Sequence, residues 1–339
     1  MRIVVTGATG NIGTSVVDAL RADPAIREVI GVARRAPAPT EGGDVVVAAD
    51  LAVDPLDPIV DGADAVVHLA WKIRPSHDPM AQWRTNVLGS ARLARAVERA
   101  DVPTLIFASS LGVYAPAPSD SPVDETFPRA TASRLPYTRH KVAVERLLDA
   151  LGERAGTRVV RLRPGLVLKP EAAAAIRRIF VGPLLPSALL HRRLAPLFGW
   201  IPFSASVVAT EDVARAVGRA VHRPVHGAFN LAADTPIGRG RGRPGLLGDG
   251  VRTVVAGAWM ARLGPLDPGW VELVRRAPVL DTARARDELG WTPTLDGPEV
   301  LARFLDGLRR DEGTATPPLD ADAGGALRHR EVADVVLDR

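Results

Sequence analysis

The stretch "RIVVTGATGNIGTSVVDALRAD", residues 2–23, runs from a β-branched, strand-like segment through a glycine turn into a segment with helical spacing. Gly7, Gly10 and Gly13 fall directly between the two. Each has a physical task there: one permits the tight turn, one lets a pyrophosphate approach the backbone, and one lets the helix pack close to the sheet. The helix start at Asn11 and Ile12 offers unpaired N–H groups and the positive end of the helix dipole to phosphates. The turn therefore predicts a dinucleotide site at the first strand–helix junction.

Outward from this turn, strands and helices alternate. "REVIGVARR", "GDVVVAADL", "ADAVVHLAW", "VPTLIFASS" and "TRVVRLRPG" read as strands bounded by turn residues. Residues 80–100 and 137–155 have helical spacing. The alternation implies an α/β fold, a doubly wound parallel sheet with helices on both faces. After Pro164 and Gly165 the pattern loosens into proline-rich and helix-like pieces. We expect a nucleotide-binding domain over residues 1–165, to which 205–235 returns. A smaller, mostly helical substrate-binding cap is expected from 166–204 and 236–312, and a mobile tail from 313 to 339.

The second strand bears on which dinucleotide binds. An NAD site wants an acid about 20 residues beyond the glycines, where it accepts hydrogen bonds from the ribose 2′-OH. Here Ala33 holds that place and Arg34 and Arg35 follow. A carboxylate there would repel a 2′-phosphate, whereas guanidinium groups bind one. NADP(H) is accordingly expected over NAD(H). Asp50, followed by Leu51 at the end of the third strand, is the expected partner for the adenine.

The chain holds two tyrosines, Tyr114 and Tyr137, and three lysines, Lys72, Lys141 and Lys169. Tyr137 stands four residues before Lys141 at the start of a helix-like segment, and residues so spaced share a helix face. A phenol with its ordinary pKa of about 10 is a poor base at neutral pH. A nearby ammonium favours the phenolate and brings it towards working pH. Tyr137 is thus placed to give a proton to a carbonyl being reduced, or to take one from an alcohol being oxidised.

Together these residues resemble the extended short-chain dehydrogenase/reductase family, also called the NAD-dependent epimerase/dehydratase family. "TGATGNIG" matches its glycine turn, "AADL" its adenine-side Asp-Leu, "HLAW" the strand under the cofactor and "NVLGS" its Asn-containing helix. "FASSLGVY" matches the serine strand, "YTRHK" the Tyr-x-x-x-Lys pair, "RLRPG" the Pro-containing strand end and "DTARARDELGWTP" the C-terminal segment. The resemblance implies a Rossmann-type fold with Ser110, Tyr137 and Lys141 as catalytic residues, Ser109 being the less favoured serine. It further implies Lys141 on the nicotinamide ribose, Asn86 fixing the helix beside the cofactor, and Leu69, Ala70, Trp71, Pro164 and Gly165 as contacts and walls. A homodimer through the two long helices is also implied. Two departures stand out. Leu111 and Gly112 occupy the place of the Asp-Glu pair of sugar-nucleotide dehydratases, so elimination is not expected. "LVLKP" replaces the usual Phe-Gly after the Pro-containing strand.

Composition narrows the remaining classes. With no cysteine among 339 residues, disulfides, thiolate metal sites and cysteine nucleophiles are impossible, and no metal is expected. A net charge of +4, with basic residues scattered among acids, gives no nucleic-acid footprint. Only Arg239, Arg241 and Arg243 concentrate charge, in a loop without aromatics. The most apolar run, "IFVGPLLPSALL" at 179–190, is too short to span a bilayer and carries Pro183 and Pro186. The reading "MRIVVTG", without signal-peptide character, points to the cytoplasm, and heavy Ala/Arg usage points to a bacterial source. The leading expectation is an NADP(H)-dependent carbonyl reductase or alcohol dehydrogenase. Its alternatives are a nucleotide-sugar 4-epimerase with tightly bound NAD and a non-catalytic cofactor-sensing regulator.

Overall fold

Strand β1 (Arg2–Thr6) sits in the middle of a seven-stranded sheet because Ile3, Val4 and Val5 are apolar and fully buried. Around it lie β2 (Glu28–Ala33), β3 (Val46–Ala48), β4 (Ala65–His68), β5 (Thr104–Ala108) and β6 (Arg158–Pro164). Two short strands, β7 (Leu166–Leu168) and β8 (Val207–Ala209), pair outside this sheet, and β9 (Gly227–Leu231) returns to its edge. The order is β3-β2-β1-β4-β5-β6-β9, and every neighbouring pair is parallel. This is the Rossmann order, in which the strand sequence reverses direction beside β1 and opens a crevice at the carboxyl ends. The computed structural model describes residues 1–35, 46–73, 78–117, 121–130, 132–180, 204–238, 260 and 267–320.

The helices are α1 (Asn11–Arg21), α2 (Asp57–Val60), α3 (Pro79–Trp83), α4 (Gly89–Arg99) and α5 (Pro136–Arg154). They continue with α6 (Ala173–Phe180), α7 (Thr210–His222), α8 (Pro268–Arg276), α9 (Ala283–Asp287) and α10 (Gly297–Arg310). Successive strand residues point to opposite faces, and the two faces build separate cores. Ile3 and Val5 join Val16 and Leu20 of α1, Val213 and Val217 of α7, and Trp291. Val4 joins Leu105, Phe107, Leu93 and Val97 of α4, and Val144, Leu148 and Leu151 of α5. Each such large apolar side chain, fully buried, contributes about 1.5–3 kcal/mol. Trp291 also donates its indole N–H to the Asp212 carbonyl at 2.7 Å, which ties the "DELGWTP" segment to α7.

Two expectations meet a different structure. The single helix expected over 80–100 is α3, a π turn over Arg84–Leu88, and α4. Within that wider turn the buried Asn86 side chain holds the chain after β4. Its Oδ1 accepts from the Lys72 N–H at 2.7 Å and its Nδ2 donates to the Lys72 carbonyl at 3.0 Å. Such π turns recur at functional sites. Residues 313–320, expected at the head of a mobile tail, instead form hydrogen-bonded turns, because Leu319 buries itself against Ala172 and Ala175. The Arg239–Arg243 loop, cap residues 181–203 and the tail from 321 lie outside the described residues. No helix among the described residues is long and apolar enough to cross a membrane, and they contain no cluster of potential metal ligands.

Candidate active site and cofactor cleft

At the reversal of strand order, the carboxyl ends of β1 to β4 open onto one cleft. Thr6, Gly7, Thr9 and Gly10 line it from the glycine turn, and Val32, Ala33, Arg34 and Arg35 from the end of β2. Ala49, Asp50 and Leu51 follow from β3, then Leu69, Ala70, Trp71 and Lys72 from β4, with Thr85 and Pro318 completing the wall. The glycines are there for close approach. Gly7 has φ +75°, and a Cβ on it would lie 2.7 Å from the Ala70 nitrogen. One on Gly13 would lie 2.1 Å from the Gly7 carbonyl oxygen, so only glycine lets α1 start beside the turn. Gly10 caps α1 without any side-chain hydrogen bond, and no acid stands in the first turn. The first N–H groups of α1 are thus left for phosphate oxygens, and the cradle fits a dinucleotide.

Several expected contacts take other partners. The Asn11 amide donates to the Val167 carbonyl at 3.1 Å and accepts from the Thr210 hydroxyl at 3.3 Å, so it joins α1 to β7 and α7. Ile12 packs against the core beneath the turn. Gly165 instead permits close passage, since a Cβ there would be 2.3 Å from the Ser206 carbonyl oxygen. Asp50 uses its carboxylate to accept from the Ala52 N–H at 2.9 Å, which orders its own turn. Arg34 and Arg35 are exposed at the edge of the cleft, where Ala33 leaves no carboxylate to oppose an anion.

Beneath the cleft a hydrogen-bond chain sets the wall. The Ser90 hydroxyl donates to the Asn86 carbonyl at 2.5 Å, so its oxygen accepts from His68 Nε2 at 2.8 Å. His68 Nδ1 then accepts from the Thr6 hydroxyl at 2.8 Å, and Thr6 in turn accepts from the Ala70 N–H at 3.4 Å. Burial, followed by the charge of Lys141, pushes the His68 pKa down to about 3. The ring is neutral and structural.

The catalytic candidates gather behind the Trp71 wall of the cleft, at its inner end, and none of the three lines the cleft itself. Tyr137 enters from the first turn of α5, whose Pro136 suits a position where the N–H would go unpaired. Burial pushes its phenol up to about 12, while a hydrogen bond with Ser110 pulls the other way. Ser110 caps a 3₁₀ turn over Leu111–Val113, its Oγ accepting from the Gly112 N–H at 3.0 Å. A Cβ on Gly112 would come within 3.0 Å of the Tyr137 ring, so this position keeps the Tyr137–Ser110 approach open. Ser109 faces away and donates to Glu145 at 2.6 Å, which leaves Ser110 as the serine beside Tyr137. The Lys141 ammonium donates to the Ala108 carbonyl at 2.6 Å and rests 3.6 Å from the Trp71 ring centroid. Burial holds it well below the ordinary lysine range, opposed by the negative charge of Glu145.

Three features of the site were not read from the sequence. Glu145 is fully buried and bound by Arg163 through Nε at 2.9 Å and a terminal nitrogen at 2.6 Å. Arg163 also donates to the Tyr114 hydroxyl at 3.0 Å, and Tyr114 donates to Asn230 at 2.6 Å. Tyr137, Lys141 and Glu145 recur every four residues, a spacing that could have exposed the third member. The other two are long-range: Trp270 of α8 packs on Tyr137 with ring centroids 4.7 Å apart, and Pro318 lines the cleft.

Comparison with known proteins accords with this geometry. The NAD dependent epimerase/dehydratase family matches residues 3–232. The chain belongs to that family, and it is an NAD(P)-dependent enzyme. It is 29% identical to a UDP-glucose 4-epimerase of Mycolicibacterium smegmatis over 91% of this chain and 99% of that protein. It is 30% identical to an L-arabinose 1-dehydrogenase (NAD(P)(+)) of Haloferax volcanii, over 50% of this chain and 68% of that one. Among solved structures, MoeE5 in complex with UDP-glucuronic acid and NAD superposes with a TM-score of 0.65 at 27% identity, over 91% of this chain and 99% of its own.

Proposed function

We propose that the protein is a nucleotide-sugar 4-epimerase that holds NAD through turnover, with Ser110, Tyr137 and Lys141 as its catalytic residues. The observation that carries this reading is the extent of the likeness. The UDP-glucose 4-epimerase is matched along 91% of the chain, cap included, whereas the arabinose dehydrogenase is matched along 50%. Substrate choice in this reading belongs to the cap, 166–204 and 236–312, and dinucleotide binding to 1–165 and 205–235. A dimer through α4 and α5, in the cytoplasm, belongs to the same proposal.

A bound nicotinamide supplies a hydride acceptor and donor at the inner end of the cleft. The chain's own residues handle the proton. Tyr137 Oη takes it from the sugar hydroxyl and later returns it, and the Ser110 hydroxyl donates to the same oxygen. Lys141, four residues along the helix face, stabilises the phenolate by its charge. Gly7, Gly10 and the start of α1 would hold the pyrophosphate, with Arg34, Arg35 and Asp50 around the adenosine.

The carbonyl reductase expected from the sequence becomes the second reading, and one observation favours it: Arg34 and Arg35 stand exposed at the cleft where an NAD site would carry an acid. Retention of Ser110, Tyr137 and Lys141 in one cluster speaks against a non-catalytic regulator. The test is to denature the purified protein and assay released dinucleotide, then to incubate the native protein with UDP-glucose and UDP-galactose. Released NAD⁺ and interconversion of the two sugars support the epimerase. An empty protein that reduces simple carbonyls with NADPH, and leaves both sugars untouched, selects the second reading.

A further inference from the structure

The segment after α10 has no task in the chemistry above, yet it is built rather than loose. Asp311 ends α10 in the left-handed conformation at φ 53°, and the Glu312 N–H bonds back to the Gly307 carbonyl at 3.0 Å. A turn follows, closed by Leu319 N–H to the Thr316 carbonyl at 2.9 Å and Thr314 N–H to the Leu319 carbonyl at 3.1 Å. The hydroxyls of Thr314 and Thr316 meet at 2.8 Å. Pro317 and Pro318 limit the backbone freedom lost in ordering this turn.

Two adjacent residues face two different parts of the protein. Leu319, 2% exposed, packs on Ala172 and Ala175 at the start of the cap. Pro318 lines the cleft that also holds Gly7, Gly10 and Arg34. The anchor for Leu319 is itself fixed to the nucleotide domain. Gly307 of α10 lies so close to Pro170 that a Cβ would be 2.5 Å from its carbonyl oxygen. Lys169, one residue earlier, donates to the Thr14 hydroxyl of α1 at 2.6 Å. The segment therefore bridges cap and cleft from a rigid base.

We propose that residues 313–320 are part of the cofactor site: a strap whose Pro318 lies against the bound dinucleotide and whose Leu319 pins it to the cap. Dinucleotide release then requires the strap to lift. This rests on the cleft being the dinucleotide site, and not on which reaction follows.

The test uses the full chain, loaded in turn with NADH and NADPH, and stopped-flow release followed by nicotinamide fluorescence. Leu319→Asp unpins the strap and Pro318→Gly removes the contact while keeping the pin. Both are expected to speed release about tenfold; Pro318→Gly leaves association little changed, whereas Leu319→Asp, which frees the strap, speeds association too. Because the chain has no cysteine, Pro318→Cys adds a single thiol, and bound NADH should slow its alkylation. Unchanged release in Pro318→Gly together with undiminished alkylation overturns the proposal, even if Leu319→Asp fails to fold. Gly10→Ala separates the two failures. Weakened binding there with unchanged release in the strap variants sinks the strap alone, whereas undiminished binding, or no binding by the wild type, sinks the cleft assignment and the strap together.

Discussion

The two ends of the cleft use charge in opposite ways. At the outer end Arg34 and Arg35 are exposed and stand in a high-dielectric setting, where salt screens their charge. At the inner end Lys141 and Glu145 are buried, Tyr137 is packed against Trp270, and each ionisable group there has its proton affinity moved by its surroundings. The difference teaches that recognition can be left to solvated side chains, whereas proton transfer needs groups whose environment the fold controls.

The sharpest way to break the contrast is at the inner end. Tyr137→Phe removes the one hydroxyl proposed to move the proton, so turnover should fall by about 10²- to 10⁴-fold. Dinucleotide affinity, set at the other end, should stay within about threefold. Steady-state kinetics beside a binding titration read both, and comparable losses in the two would merge the ends that we separate.

Next in size is the support beneath Lys141. Glu145→Ala leaves the Arg163 guanidinium buried and unpaired, and should cost about 3–5 kcal/mol of stability in a urea unfolding curve. A cost as small as that of an exposed pair such as Arg154–Glu98 would show that the inner end is not desolvated.

The phenol can be watched directly, since the chain has only two tyrosines and Tyr114→Phe leaves one. Phenolate absorbance should rise with a midpoint of about 12 in the dinucleotide-free protein. The sign follows from charge: the deprotonated form is the anion, so the positive nicotinamide ring of the oxidised dinucleotide favours it and lowers the midpoint. A drop of about 2 pH units or more on adding NAD⁺ is expected. An unmoved midpoint would remove the basis for Tyr137 as a base.

The smallest effect belongs to the outer end. On the second, reductase reading, Arg34→Ala and Arg35→Ala each weaken NADPH binding by about tenfold and leave NADH within about twofold, a gap that narrows as salt is raised. Equal binding of the two dinucleotides by the wild type would make these arginines solvated surface and strengthen the NAD-holding epimerase.

Much of this site was legible because its signals are local. The glycine turn, the arginines after β2, and the Tyr137–Lys141 pair each depend on backbone and side chains within one turn or helix face, so their spacing carries their meaning. Ser109 and Ser110 were harder to tell apart, since neighbours in an extended segment point to opposite sides and only the partner identifies which is which. Asn86 was expected beside the cofactor, but the π turn that aims it at Lys72 requires the tertiary contact to exist. Trp270 and Pro318 gave no local signal at all.

The sequence by itself determined the strand–turn–helix at the N-terminus, the parallel alternation behind it and the spacing that puts Tyr137 and Lys141 on one helix face. Periodicity and glycine spacing act over a few residues, and hydrophobic burial then leaves few ways to assemble the elements. Tertiary structure alone decided that Glu145 and Arg163 neutralise one another beneath the candidate site, that Trp71 and Trp270 flank Tyr137, and that Pro318 reaches the cleft. Those contacts join residues far apart in the chain. Their energies depend on desolvation and packing, which exist only once the sheet, the cap and the strap have come together.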